Sequence, residues 1–235
     1  MAQRNIVGPL VLTLLGLSAA QATAAAPPSH IEMALVTTMG NFKLGEGREV
    51  LEHDGKCYNI VSLSVPKGLA ALFINDVRRE SRGAVTASGL KPEQFEETGR
   101  KGGTRTARFD WASGKITLAS HDSTRTVELP PNTLDQTSFP YSFAFSAAVR
   151  KVFDVHLTDG QGVKQYQYRQ VGKETLKTPL GEIETLHFEK VRDPNDKRGF
   201  EFWLAVDRHF LPVKLRYIEK NGDTFESLVT GIEIR

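Results

Sequence analysis

Residues 105 to 129, RTARFDWASGKITLASHDSTRTVEL, give three short strands in succession, with Ala112 to Gly114 and His121 to Ser123 as their turns. Side chains along a strand alternate between the two faces of a sheet, so period-two patterning interrupted by turn residues at short intervals reads as an antiparallel meander. The same period recurs on both sides of this stretch. Ile31, Met33 and Leu35 alternate, as do Phe42 and Leu44 ahead of the turn at Asp54-Gly55. Phe153, Val155 and Leu157 precede TDGQG, and Tyr166 and Tyr168 share one face between Lys164 and Arg169. TPLGEIETLHFEKV follows. FWLAVDRHFLPVKLRY, residues 202 to 217, then reads as two strands about a tight turn, with Pro212 opening the second. Asn221-Gly222 closes a last hairpin before FESLVTGIEI. Asp-Gly and Asn-Gly accept the positive φ that two-residue hairpin turns demand. The pattern predicts a dozen or so antiparallel strands, mostly sequential neighbours.

Two stretches break the alternation. PKGLAALFINDVRRE, from Pro66 to Glu80, holds either a short helix after Pro66 or a strand over Phe73 to Val77. NTLDQTSFPYSFAFSAAVRK, from Asn132 to Lys151, places Asp135 as a helix cap and Pro140 awkwardly inside the helix, while Phe139, Tyr141, Phe143 and Phe145 alternate as in a strand. A helix-like plug packed on the sheet is the preferred reading. So many sequential strands twist and curl, and their edges either close or stay open. The expected fold is all-β: a curved antiparallel sheet, or an open β-barrel or spiral, with one or two short helices. Its concave face must be filled by side chains or by a ligand.

The first residues bear on location. Arg4 precedes an apolar run from Ile6 to Leu17, and small residues lead to QATAAAPP. A basic start, a core of about a dozen apolar residues and an Ala-x-Ala exit mark a secretory signal peptide. Cleavage is expected after Ala24, leaving residues 25–235 as a single β domain. A spanning helix wants about 20 apolar residues, and Gly8 and Pro9 interrupt this shorter run, so no transmembrane span is expected in the mature chain. The expected location is the periplasm. No Cys follows the run to take a lipid.

Composition excludes several classes. The leader takes one basic residue with it, so the remaining 211 residues carry a net charge near +1. That balance gives no field for a polyanion, and no nucleic-acid partner is expected. The basic cluster GRKGGTRTAR, Gly99 to Arg108, reads as a flexible loop entering a strand. Cys57 is the lone cysteine, so no internal disulfide forms and stability rests on packing. Its alternation with Val61, Leu63 and Val65 predicts a buried, small apolar role.

The catalytic motifs are missing. There is no GxSxG, HExxH, Walker loop or GxGxxG after a strand, and Pro66 separates Ser64 from Lys67 in a formal SxxK match. His187 with Glu189, and Asp207 with His209, offer two ligands each where zinc needs three or four; they read as solvated strand and turn residues. Glu182 and Glu184 share a strand face without an apolar surround that would raise a pKa. No catalytic residue, metal site or cofactor is expected. The aromatics provide the positive lead: Trp111, Trp203, Tyr217 and Phe143 are the candidate apolar groove. Either Trp111 and Trp203 meet across the concave face, or they lie under the Phe139 to Phe145 segment as packing, which is preferred for a closed state.

Several stretches carry a resemblance: SRGAVTASGLKPEQFEETG from Ser81, FDW at 109 to 111, TPLGEIET from Thr178, and WLAVDRHFLPVKLRY from Trp203. In this order they resemble a family of exported proteobacterial proteins, domain-of-unknown-function family 3108, across nearly the whole mature chain. The resemblance implies a periplasmic β protein without an established activity, and offers no catalytic residue to carry over. The WLAVDRHFLPVKL hairpin is more loosely similar to strand pairs of open β-barrel carriers that shuttle lipoproteins across the periplasm. The functional expectation is a non-enzymatic protein of cell-envelope homeostasis that binds a hydrophobic ligand (a lipid, acyl chain or peptide) in its concavity. The alternative is a scaffold recruiting an envelope protein through an edge strand. An uncatalogued hydrolase ranks third.

Overall fold

A computed structural model describes residues 27–99, 103–146, 148–193 and 195–235. The expected leader lies outside these residues, as does part of the basic cluster. Eight strands follow one another to the middle of the chain: β1 (His30–Met39), β2 (Phe42–His53), β3 (Cys57–Pro66), β4 (Val77–Thr86), β5 (Gly89–Thr98), β6 (Arg105–Asp110), β7 (Lys115–Ser120) and β8 (Ser123–Glu128). Seven more complete the sheet: β9 (Leu134–Asp135), β10 (Val152–Thr158), β11 (Val163–Thr178), β12 (Gly181–Lys190), β13 (Gly199–Ala205), β14 (Pro212–Ile218) and β15 (Thr224–Ile234).

All fifteen form one sheet in the order β8-β7-β6-β5-β4-β3-β2-β1-β15-β14-β13-β12-β11-β10-β9. β1 and β15 meet at its centre, from Ile31 opposite Ile234 to Met39 opposite Phe225. Two meanders run outward from that seam. All pairings are antiparallel except β9 with β10. Sequential neighbours were expected; the β1–β15 union is the long-range pairing that period-two patterning could not show.

The topology forces the sheet to roll. Laid flat, its outer strands would stand roughly 65 Å apart at the usual strand spacing. They are consecutive in the chain, joined only by residues 129–133, which reach about 20 Å when fully extended. The β9 edge therefore folds back onto the inner face of β4 and β5. Ser81 of β4 donates to the Asp135 carboxylate of β9 at 2.6 Å, and Gln136 donates to Glu97 of β5 at 3.2 Å. Gly160 presses on Phe95 and Arg105; a β-carbon there would stand 3.0 Å from the Arg105 Cβ. Side chains, with no ladder of backbone bonds, hold this overlap, so the barrel stays an open roll.

The segment from Asn132 is the plug. Asp135 accepts the backbone N–H groups of Thr137 and Ser138, each at 2.8 Å, and these lead into α1 (Ser138–Tyr141). Pro140 is tolerated because it falls in the first turn, where its missing N–H would lack a helical partner. A 3₁₀ turn, Ser142–Phe145, continues the segment. Phe139 and Phe143 sink into rings from β10 to β13: Phe139 meets Phe202 edge-on at 5.6 Å, and Phe188 lies flat on Phe202 at 5.1 Å. Phe143 contacts Phe153, Phe188 and Phe202. Each buried ring contributes about 1.5–3 kcal/mol by leaving water, and well-placed pairs add about 0.5–1.5 kcal/mol. A smaller core of Phe95, Ala107, Phe109, Ile116, Leu118 and Leu129 lies under β5 to β8.

Two readings are corrected, and one pair of alternatives is decided for the short helix. Cys57 is exposed; the inward row of β3 is Tyr58, Ile60 and Ser62, and apolar residues on both rows left the phase of the alternation undecided. The tight turn expected within residues 202 to 217 is a six-residue reversal after β13 ends at Ala205, with His209 and Phe210 at positive φ. The stretch after Pro66 forms a 3₁₀ turn, Gly68–Leu72.

Candidate functional site

The antiparallel register places the β1–β2, β3–β4, β5–β6, β10–β11, β12–β13 and β14–β15 connections at the same end of the roll. A cavity of about 750 Å³ opens among them. Its floor is the upper surface of the plug, with Thr137, Phe139, Pro140 and Tyr141, and Leu157 and Tyr168 beside it. One wall is mainly aromatic: Tyr166, Phe200, Leu215, Tyr217 and Phe225. The facing wall carries Glu49, Ser62, Ser64, Val77 and Arg79, with Arg105 alongside. An interior with one apolar and one polar wall differs from the wholly greasy hollow expected, and suits an amphiphile.

Several charged side chains of this space are held by partners. Glu97 of β5 is buried, accepts from Arg79 Nε at 2.7 Å and stands 3.5 Å from Arg105 Nη1. Ser62 and Tyr141 both donate to Glu49. Burial, aided by the Glu49 charge, holds the Tyr141 phenol well above its ordinary pKa, so it stays a donor. At the rim, Lys190 donates to Asp196 at 2.6 Å and sits over the Tyr166 ring. That hydrogen bond lowers the Asp196 pKa. Lys164 faces the opening from β11 and is exposed. Five cationic and five carboxylate side chains line the cavity, so it carries no net charge to attract a polyanion.

Beneath the floor, Asp135 is fully buried. Besides the two N–H groups of the plug, its carboxylate accepts from Ser81 Oγ and from Ser138 Oγ at 2.9 Å, and Ser81 in turn meets Tyr58 Oη at 3.0 Å. Burial raises its pKa despite these four bonds. The network has no histidine or cationic partner to activate a hydroxyl; its chemistry is that of a structural lock.

The four groove candidates are dispersed. Tyr217 lines the cavity, half-exposed. Phe143 lies below the floor in the aromatic core. Trp111 belongs to the smaller core, stacked on Phe109 at 5.8 Å with its indole N–H on the Pro92 carbonyl at 2.7 Å. Trp203 projects from the sheet face opposite Phe202, where neither the concavity nor the plug lies. His187 stacks on it at 4.1 Å, Glu174 accepts its N–H at 2.7 Å, and Lys214 and Arg216 cover the ring. The ring is buried beneath these four side chains. His187, read as solvated, is clasped there between the Trp203 ring and Glu201, at 3.0 Å.

Sequence reasoning missed the polar wall. Its available signal was the inward row of β4, Val77, Arg79, Ser81 and Gly83, polar where a core strand should be apolar. Among the described residues, no group of three or more His, Cys, Asp or Glu side chains is arranged to hold a metal. No described helix is long and apolar enough to cross a membrane.

Comparison with known proteins agrees with the architecture. A family model described as a protein of unknown function (DUF3108) matches residues 34–229. Among curated proteins, none matches. Among solved structures, a β-barrel-like protein of domain of unknown function DUF1849 from Brucella abortus superposes with a TM-score of 0.58 at 11% identity, covering 90% of this chain and 100% of that one. At such identity the likeness concerns the fold alone. The Pseudomonas aeruginosa MucA/MucB complex has a TM-score of 0.35 at 14% identity, over 87% of this chain and 51% of that one. A Vibrio parahaemolyticus structure described as an outer membrane lipoprotein-sorting protein domain has a TM-score of 0.28 at 7% identity, over 88% and 86%. These two overlay too loosely to carry an argument.

Proposed function

The chain belongs to the family of proteins of unknown function DUF3108, and on that premise we propose that it is a non-catalytic periplasmic protein of the cell envelope, exported by cleavage after Ala24, that holds an amphiphilic lipid or acyl chain in its end-opening cavity. The supporting observation is the cavity itself. Its volume of about 750 Å³ falls in the range of pockets that enclose small ligands. The aromatic wall offers apolar surface to a tail, and Arg79, Arg105 and Lys164 offer donors to a headgroup at the opposite wall and rim.

A fluorescent dansyl fatty acid tests this reading. Ser64, on the polar wall, is only partly buried, so Ser64→Trp should fill the cavity at modest cost in stability. The wild type should bind the probe with enhanced, blue-shifted emission, and Ser64→Trp should weaken binding at least tenfold. Equal binding by both proteins would remove the cavity from the proposal.

A second reading has its own observation. β8 is an outer strand of the sheet with nearly all of its side chains exposed. Its hairpin closes on the Ser120–Ser123 pair, so Thr124, Thr126 and Glu128 direct their backbone groups away from β7. An extended segment of an envelope protein would add there as a further strand. Recovery of an empty cavity together with a stoichiometric co-purifying protein would favour this scaffold role.

A further inference from the structure

The β3–β4 connection, residues 67–76, carries four large apolar side chains that the fold does not use. Leu69, Leu72 and Phe73 are more than two-thirds exposed and Ile74 is half-exposed, while none of the residues in the 3₁₀ turn is buried. Phe42, at the start of neighbouring β2, is as exposed as Leu72. The loop is fixed beside β2 by the bond from Lys67 N to the Leu44 carbonyl at 2.8 Å. Ile74, the last of the four, and Leu44 also line the cavity, so the exposed apolar side chains of the loop reach the opening.

From this continuity we propose that the 67–76 loop and Phe42 form a lip that inserts into a lipid bilayer, seating the cavity mouth against the membrane. The proposal deepens the cavity reading and rests on it for the direction of ligand passage. Side chains of this size present about 150–200 Å² when fully exposed, so at their fractional exposures the five give a patch on the order of 600 Å², at the upper limit of what monomers carry. A standard protein interface takes about 800 Å² from each partner. The lip alone falls short of that, and a second copy is disfavoured as its cover. A bilayer needs no complementary shape, only the depth of a few side chains. Lys43 and Lys67, half-exposed at the base of the lip, share Glu46 as their carboxylate partner, which leaves them able to meet headgroup phosphates. Asp76 offsets part of that charge. The attachment is therefore chiefly apolar and does not require anionic lipid.

Vesicle flotation of the purified protein tests the proposal, with phosphatidylcholine alone and with added phosphatidylglycerol. The wild type should float with both. The double variant Leu72→Asp/Phe73→Asp should lose at least tenfold in bound fraction while keeping its melting temperature, because neither side chain is packed. Ser64→Trp should float like the wild type; a wild type that floats but binds the dansyl fatty acid no better than Ser64→Trp would sink the cavity reading and leave the lip intact. The lip is overturned if the wild type fails to float, or if the double variant floats equally well. It is also overturned if the wild type dimerises through these residues in sedimentation velocity without binding vesicles.

Discussion

Replacing Asp135 by alanine removes the buried carboxylate that joins the plug to β4 across the roll. Four donors converge on its carboxylate: the N–H groups of Thr137 and Ser138 and the hydroxyls of Ser81 and Ser138. The hydroxyls have other acceptors, since Ser81 can turn to Tyr58 Oη and Ser138 to the Asp135 carbonyl. The two N–H groups do not. Orphaning each costs about 1–3 kcal/mol, offset in part because a buried carboxylate is no longer held out of water, so Asp135→Ala should destabilise by about 3 kcal/mol. Asp135→Asn keeps an oxygen for both N–H groups and presents an amide to hydroxyls that can rotate to accept, so it should cost less than about 1 kcal/mol near neutral pH. The pH dependence has a definite sign. Burial raises the native pKa of Asp135 above its unfolded value, so the native state binds the proton more tightly. The resulting stability is fully present below the unfolded pKa of about 3.9 and is lost as pH rises through the native value. Urea unfolding at a series of pH values should show Asp135→Asn gaining on the wild type as pH rises from about 4. A cost below about 0.5 kcal/mol for alanine, or parallel pH profiles for wild type and asparagine, would refute the lock.

Phe143→Ala should lower stability by about 3–5 kcal/mol in urea, against less than about 0.5 kcal/mol for the exposed Phe42→Ala; equal effects would remove the plug from the core. Trp203→Ala should cost a similar 3–5 kcal/mol and leave fatty-acid binding unchanged, because the ring lies on the face away from the cavity; weakened binding with intact stability would contradict that placement. Cys57 should react with a thiol reagent such as dithionitrobenzoate in the native protein as fast as in urea, whereas protection until unfolding would restore the buried reading.

What the sequence disclosed was local. The meander of β6 to β8, the buried row of Ile31, Met33 and Leu35, and the plug with its acidic cap follow from side-chain period and turn chemistry, with Pro140 the residue that argued against the plug helix. The rest depends on contacts between distant segments. Nothing in residues 30–39 points to 224–234, yet their pairing makes the two meanders one sheet. Cys57 and Trp203 went astray because β3 and β13 have apolar residues on both rows, and alternation cannot say which row faces inward. The cavity was anticipated as a consequence of curvature, but the proposed aromatic groove was not where the rings went: only Tyr217 of the four candidates borders it. Arg105 and Glu97 were indistinguishable in sequence from surface charges, since they are enclosed only when the β9 edge folds over the inner face.

Native mass spectrometry of the protein purified from its native host tests directly whether the cavity is occupied. One apolar or amphiphilic molecule per chain, released on unfolding and missing from Ser64→Trp, is the expected spectrum. Wild-type protein that flies at the bare polypeptide mass, or that carries the same adduct with the cavity filled, would contradict the account.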